Sequence, residues 1–178
     1  MDYQCIEKRE KELGIYIHIP FCKKKCYYCD FISYNNKEKY VKQYIECIEE
    51  EIDTYKTNNY NVTTIYIGGG TPSFINSKYI KDILVKLRNK LSNNKTNFDN
   101  IEITIEINPG TVTLENLKQY KKIGINRISI GLQSTNDKLL KQIGRIHNYN
   151  DFINTYELIE EVGFENRNVD LILGLPNQ

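Results

Sequence analysis

The sequence predicts an α/β fold built on a parallel sheet. Short apolar runs rich in Ile, Val and Leu alternate with longer segments of helical period, and this alternation is typical of repeated β-α units. The apolar density of the short runs favours strands that are covered on both faces. A chain of 178 residues, 40% of them hydrophobic, is long enough to bury the core of one domain.

Strands and helices are expected to alternate along the whole chain. The predicted strands are 14–19, 63–67, 101–107, 127–130 and 168–173. The predicted helices are 37–55, 77–91, 113–124, 136–143 and 151–162, with Thr113 capping the third and Gly163 ending the fifth. Residues 92–100, rich in Asn and Lys, are expected to form a solvated loop.

The chain divides into an N-terminal segment, 1–13, and a core domain, 14–178. The last predicted strand lies close to Gln178, whereas a parallel strand is normally covered by the helix that follows it. We therefore expect a core domain that is incomplete at its C-terminus, with its fifth strand at an uncovered edge of the sheet.

The charge balance excludes several classes of partner. Lys and Arg number 24 against 23 Asp and Glu, so no basic field favours nucleic acid or an anionic membrane. Residues 1–14 are charged and lack the apolar stretch of a signal peptide, and no segment has the length of a transmembrane helix. A cytoplasmic location is expected.

Three cysteines follow the first predicted strand with the spacing Cys22-x-x-x-Cys26-x-x-Cys29. A [4Fe–4S] cluster normally takes four thiolates, so three would leave one iron open to another ligand. Neighbouring lysines at 23–25 would favour thiolates, and nearby aromatic side chains would shield a cluster from water. A Cys₃His zinc site that includes His18 is an alternative, and a disulfide is a weaker one because the chain has five cysteines.

Glycine or polar residues follow every predicted strand, at the edge where parallel β/α folds bind ligands. Gly68-Gly69-Gly70-Thr71 follows the second strand and would let a ligand approach the backbone, yet it matches neither a Walker loop nor a dinucleotide-binding fingerprint. Arg145 suits a carboxylate ligand. Other candidates are Glu106, Gln133 and Asp170, whereas packing roles are expected for Cys47 and His147.

Sequence motifs in a fixed order run from about Gly14 to the end of the chain. Besides the cysteine triplet they are Tyr16-Ile17-His18-Ile19-Pro20-Phe21-Cys22, Gly-Gly-Gly-Thr-Pro-Ser at 68–73, Glu106-Ile107-Asn108-Pro109-Gly110, the run 127–134 and the run 170–178. Together they closely resemble the radical SAM branch of the oxygen-independent coproporphyrinogen III oxidases and the related HemW heme chaperones. The resemblance implies a partial (β/α)₆ barrel, TIM-like and truncated after about the fifth strand.

The resemblance also implies cofactors and the residues that bind them. It implies a [4Fe–4S] cluster on Cys22, Cys26 and Cys29, whose open iron takes the amino and carboxylate groups of S-adenosylmethionine (SAM). By motif, the SAM pocket is formed by Tyr16, Gly69, Gly70, Thr71, Glu106, Gln133, Arg145 and Asp170. It further implies heme, bound through a part of the family fold downstream of this segment.

Within this family the sequence favours a heme chaperone, which binds heme and passes it to acceptor proteins. The oxidases resemble one another in a cysteine two residues beyond the third, where this chain has Phe31, and in a longer N-terminal extension. The alternative is such an oxidase, a coproporphyrinogen dehydrogenase that removes carbon dioxide from two propionates, and another radical SAM catalyst stays open. Expected partners are heme or porphyrinogen, a heme acceptor protein and an electron donor such as flavodoxin or ferredoxin.

Overall fold

The computed structural model describes residues 11–57, 60–92 and 96–178, in which strands and helices alternate as predicted. The strands are β1 (Lys11–Ile19), β2 (Tyr60–Gly69), β3 (Glu102–Ile107), β4 (Arg127–Gln133) and β5 (Asn166–Leu171). The helices are α1 (Val41–Thr54), α2 (Ser77–Leu91), α3 (Leu114–Lys122), α4 (Asp137–Gln142) and α5 (Tyr149–Val162). Part of the predicted loop 92–100 lies outside the described residues, and Phe98–Asn100 forms a 3₁₀ turn.

All strand pairs are parallel, and the order in the sheet is β1-β2-β3-β4-β5. Strands that follow one another in the sheet in the same order as in the chain are typical of a (β/α) barrel. In a doubly wound sheet, by contrast, the order of the strands reverses partway across the sheet. Along the chain α1 contacts α2, α2 contacts α3, and α3 contacts α5, so these helices cover one face of the sheet. The predicted α/β fold, part of a TIM-like barrel, is confirmed.

The strands are apolar on one face only. In β2, Ile65 and Ile67 are buried against the helices, while Tyr66 between them lies on the opposite face. In β3, isoleucines at 103, 105 and 107 alternate in the same way with Thr104 and Glu106. The expectation that both faces are covered by apolar packing is therefore wrong. Polar side chains of the second face line a cleft, which is described below.

The helices begin and end at residues with clear capping roles. Thr113 accepts a hydrogen bond from the backbone N–H of Asn116, which in turn bonds back to the Thr113 backbone, so α3 starts with a capping box. Gly163, with φ of 80°, ends α5 in the left-handed conformation. Both predictions are confirmed. Cys47 is exposed on α1, so its predicted packing role is wrong.

Strand β5 lies at an edge of the sheet, as predicted, and pairs with β4. None of its residues is buried, and Leu171 is 57% exposed. At the other edge, β1 begins at Lys11, three residues before the predicted start. No helix in the described part of the chain is long and apolar enough to cross a membrane.

Candidate functional site

A cleft of about 570 Å³ opens at the carboxyl ends of the strands, where the polar face of the sheet meets the cysteine loop. The strand order brings the residues that follow each strand to this one edge. Most residues singled out in the sequence line it: Cys22, Cys26, Cys29, Gly69, Gly70, Thr71, Glu106, Gln133, Arg145 and Asp170. Tyr16 is the exception and lies outside the cleft lining.

Backbone hydrogen bonds fix the base of the cysteine loop. The Tyr34 N–H donates to Pro20 O at 2.7 Å, and the Cys22 N–H donates to Tyr34 O at 2.9 Å. The Thr71 N–H donates to Phe21 O at 2.9 Å, which ties the loop to the glycine run after β2. The loop is therefore a closed unit attached to the sheet.

The three cysteine thiols differ in burial. Cys22 is buried, while Cys26 and Cys29 are half-buried. Burial raises the pKa of the Cys22 thiol, and the hydroxyls of Thr71 and Ser33 lower it. Free thiols that face one cleft are suited to bind a metal cluster as thiolates.

A zinc site that includes His18 is not assembled in this structure. Its Nδ1 is 3.1 Å from the Tyr16 hydroxyl, and its Nε2 is 2.7 Å from Ile32 O, so both ring nitrogens are engaged. Among the described residues, no group of three or more His, Cys, Asp or Glu side chains is placed to hold a metal ion. In this structure His18 therefore bonds elsewhere and does not join the three cysteines.

The aromatic residues of the cysteine loop form only part of the expected shield. Phe21 is buried, at 4% exposure, but Tyr27 and Phe31 are 76% and 68% exposed. Lysines 23–25 are also exposed. Phe31 nevertheless lines the cleft that the three cysteines share, as Tyr28 does, whereas Tyr27 lies outside its lining. The shielding therefore stays a prediction for Tyr28 and Phe31 and has no support for Tyr27.

The glycine run after β2 packs directly against the cysteine loop. Gly69 has φ of +118°, which side chains rarely tolerate. A Cβ at Gly70 would lie 2.9 Å from both Cys22 Sγ and Phe21 O. These glycines therefore allow a closeness between backbone and thiol that no other residue would.

Glu106 is held from two sides at the end of β3. The Tyr66 hydroxyl donates to its Oε1 at 2.8 Å, and the Gly69 N–H donates to its Oε2 at 3.0 Å. Burial raises the pKa of Glu106, although both hydrogen bonds lower it. Tyr66 was not recognised from the sequence, but the alternation of β2 already placed it on the face opposite Ile65 and Ile67.

Arg145 reaches across the cleft from the loop after α4. Its Nη2 donates to Asn108 Oδ1 at 2.6 Å and also to Gly131 O, and its Nη1 lies 3.8 Å from Cys26 Sγ. Its buried Nε has no hydrogen-bond partner. Asn108, which also donates to Thr71 Oγ1 at 2.9 Å, was given no role in the sequence analysis. The signals for it are its place directly after β3 and its membership of the motif at 106–110.

Gln133 and Asp170 occupy the last two strand ends. Gln133 adopts φ of +70°, an uncommon conformation for a residue with a side chain, where β4 shifts its register with β5. Asp170 accepts hydrogen bonds from Ser129 at 3.2 Å and from Asn168 at 2.7 Å. Both side chains line the cleft.

Two residues near the cleft have packing contacts. His147 is buried, its Nε2 lies 3.2 Å from Leu132 O, and burial lowers its pKa to about 4, so its predicted packing role is confirmed. Tyr16 stacks on Tyr66 with ring centroids 6.1 Å apart. Tyr16 therefore contacts Tyr66, which lines the cleft, but does not line the cleft itself.

These features define a β/α barrel-type protein that gathers three cysteines and several polar side chains at the carboxyl ends of its strands. The model of the radical SAM superfamily matches residues 16–178, and the chain belongs to this superfamily. A radical SAM domain implies a [4Fe–4S] cluster and SAM.

Within this superfamily the chain is clearly similar to heme chaperones and to a coproporphyrinogen III oxidase. The chain is 43% identical over 171 residues to the heme chaperone HemW of Buchnera aphidicola subsp. Acyrthosiphon pisum. This match covers 93% of the chain and 44% of that protein. It is 41% identical to the heme chaperone HemW of Bacillus subtilis, with 92% and 43% covered. The solved structure of the coproporphyrinogen III oxidase HemN of Escherichia coli matches with a TM-score of 0.84 at 32% identity, and the match covers 95% of the chain and 39% of the oxidase. The chain thus spans less than half the length of these relatives.

Proposed function

We propose that Cys22, Cys26 and Cys29 hold the [4Fe–4S] cluster and that SAM binds beside it in the same cleft. The supporting observation is that all three thiols line one cleft with the polar groups of every strand end. The residues fit the group: the thiols are free, and glycine backbone packs beside Cys22.

Each part of SAM has a chemical counterpart in this cleft. The backbone of Gly69 and Gly70 and the hydroxyl of Thr71 suit the amino group, Arg145 suits the carboxylate, and Gln133 and Asp170 suit the ribose. Glu106 supplies an anion for the amino group, and Tyr16 supports Tyr66, which holds Glu106. When bound, the cluster supplies one electron to SAM, and the protein orients both groups and limits access of water.

The cluster assignment is tested by iron and sulfide content. We expect the protein reconstituted anaerobically to bind about four irons, as the cluster type requires. Cys26→Ala should lose the cluster, whereas Cys47→Ala, which changes an exposed thiol on α1, should keep it. Unchanged iron and sulfide in Cys26→Ala would remove this cysteine from the site.

For the whole protein we propose a heme chaperone that binds heme and transfers it to acceptor proteins. Curated proteins named heme chaperone HemW are 37–43% identical to the chain, against 31% for the Escherichia coli oxygen-independent coproporphyrinogen III oxidase. Phe31, at the position of the oxidase-type cysteine, agrees with this choice. Because the chain spans less than half of these relatives, we assign heme binding to the part of them that it does not cover.

The second candidate is the oxidase, since the HemN structure matches 95% of the chain. An anaerobic assay of the full-length protein with SAM, a reductant and coproporphyrinogen separates the two functions. A chaperone should bind heme and leave the porphyrinogen unchanged on chromatography. Robust formation of protoporphyrinogen would overturn the chaperone proposal and favour the oxidase.

The proposal extends to organisation and surroundings. We propose that residues 14–178 form the radical SAM core, preceded by the segment 1–13, and that the protein works in the cytoplasm, where a cluster and free thiols are stable. It would receive electrons from a donor such as flavodoxin or ferredoxin. The near-neutral charge of the chain supports the absence of a nucleic-acid partner.

A further inference from the structure

A chain of hydrogen bonds joins Cys26 to Cys22 across the strand ends. Arg145 Nη1 donates to Cys26 Sγ at 3.8 Å, and Nη2 donates to Asn108 Oδ1 at 2.6 Å. Asn108 Nδ2 donates to Thr71 Oγ1 at 2.9 Å, and the Thr71 hydroxyl donates to Cys22 Sγ at 3.5 Å. We call this chain the Asn108 relay.

The direction of every bond in the Asn108 relay follows from Arg145. A guanidinium group only donates, so the amide oxygen of Asn108 must face it and the amide nitrogen must face Thr71. The oxygen of Thr71 then accepts, and its single hydroxyl proton is left for Cys22. Within the relay each of the two thiols thus receives one hydrogen bond, and the amide of Asn108 sets this polarity.

The backbone around Asn108 is built to admit these contacts. A Cβ at Gly131 would lie 2.9 Å from Asn108 Oδ1 and 3.2 Å from Arg145 Nη2, so a side chain there would displace the pair. The Asn108 carbonyl accepts the Thr111 hydroxyl at 2.6 Å, which holds the backbone of this loop. The bond from Thr111 therefore holds the Asn108 backbone, and the missing side chain at Gly131 leaves room for the Asn108 amide beside Arg145.

We infer that Asn108 is a positioning residue that links Arg145 to Thr71 and so aims one hydrogen bond at each of two cluster cysteines. This inference rests on the proposed cluster and SAM site. Hydrogen bonds to the sulfurs of an iron–sulfur cluster tune its reduction potential, since a donor stabilises the added electron. The relay also holds Arg145 where the carboxylate of SAM is proposed to bind.

Asn108→Asp tests the polarity of the relay with almost no change of shape. The new carboxylate pairs with Arg145 but cannot donate, so the Thr71 hydroxyl turns to it and Cys22 loses the hydrogen bond from Thr71. In the full-length protein, reconstituted with iron and sulfide, we expect a more negative midpoint potential of the cluster. SAM affinity, measured by calorimetry, should fall by about tenfold, because Arg145 is neutralised by the new carboxylate.

Two further variants separate positioning from folding. Asn108→Ala removes both amide bonds without adding charge and should also shift the potential to a more negative value. The control Ser73→Ala removes a buried hydroxyl 2.6 Å from Thr111 Oγ1, in contact with the same loop but outside the relay, and should keep the wild-type potential and SAM affinity. Iron content is measured in each variant.

Three results decide the matter. Wild-type potential and SAM affinity in both Asn108 variants would overturn the positioning role, and so would an equal shift in Ser73→Ala, which would indicate packing of the loop. Failure of the wild-type protein to bind iron and sulfide would instead overturn the proposed cluster site. The two failures are therefore distinguishable.

Discussion

The hydrogen bond from Tyr66 to Glu106 should make the stability of this protein depend on pH in a specific way. The Tyr66 hydroxyl lies 2.8 Å from Oε1 of a carboxyl group whose pKa is raised by burial. Tyr66→Phe removes this donor and keeps the ring that stacks on Tyr16. A hydrogen bond contributes about 1.5–3 kcal/mol when its acceptor is charged and about 0.5–1.5 kcal/mol when it is neutral.

The sign of the effect follows from proton linkage. Because the folded-state pKa of Glu106 is raised, its contribution to stability is fully present below the ordinary carboxyl pKa and is lost as the pH rises through the folded-state value. The Tyr66 hydroxyl lowers the pKa of Glu106. Removing this hydroxyl therefore raises the pKa further and enlarges the loss of unfolding free energy that accompanies ionisation of Glu106. Tyr66→Phe should therefore reduce the free energy of unfolding more at a pH where Glu106 is ionised than at a pH where Glu106 is protonated.

Urea unfolding of wild type and variant, under reducing conditions across this pH range, measures the difference. We expect the loss of unfolding free energy to be near the charged-acceptor value where Glu106 is ionised and to fall toward the neutral-acceptor value on acidification. Tyr44→Phe is the matched control, because the Tyr44 hydroxyl donates at 2.8 Å to the uncharged carbonyl of His18. The cost of Tyr44→Phe should change little with pH. A pH-independent cost of Tyr66→Phe would refute the reasoning.

Two further predictions concern other parts of the molecule. Amide hydrogens of residues 169–171 in β5 should exchange faster than those of 65–67 in β2, since β5 is an edge strand without buried residues while β2 is paired on both sides; equal protection would contradict this. The ring of His147 should titrate near its lowered pKa of about 4, and the free energy of unfolding should fall as the pH drops from 6.5 to that value, because the unfolded chain takes up a proton that the buried ring does not. Proton NMR of the imidazole signals measures this, and titration near 6.5 would contradict it.

The sequence alone predicted the fold because its signals are local. The alternation of strand-like and helical periods, the cap at Thr113 and the stop at Gly163 each depend on a few neighbouring residues, and all agree with the structure. The cysteine spacing and the strand-end motifs likewise lie within short segments. Strand ends of a parallel sheet must meet at one edge, so the gathering of these residues was also predictable.

Side-chain environments were less predictable, because they depend on residues far apart in the chain. The exposure of Tyr27, Phe31 and Cys47 could not be deduced from composition, since it depends on which elements pack against them. The polar inner face of the sheet was also missed. Polar residues do alternate with isoleucines in β3, but the many Ile, Val and Leu residues of the strands indicated apolar packing on both faces.

What the sequence by itself determined is therefore the order of the strands and helices, the superfamily and the set of residues at the strand ends. What only the tertiary structure decided is how these residues meet: Tyr66 with Glu106 over 40 positions, and Arg145 with Asn108 over 37. The physical reason is that hydrogen bonds are short and directional. Their partners are fixed only when the packing of the sheet and loops brings the two atoms within about 3 Å.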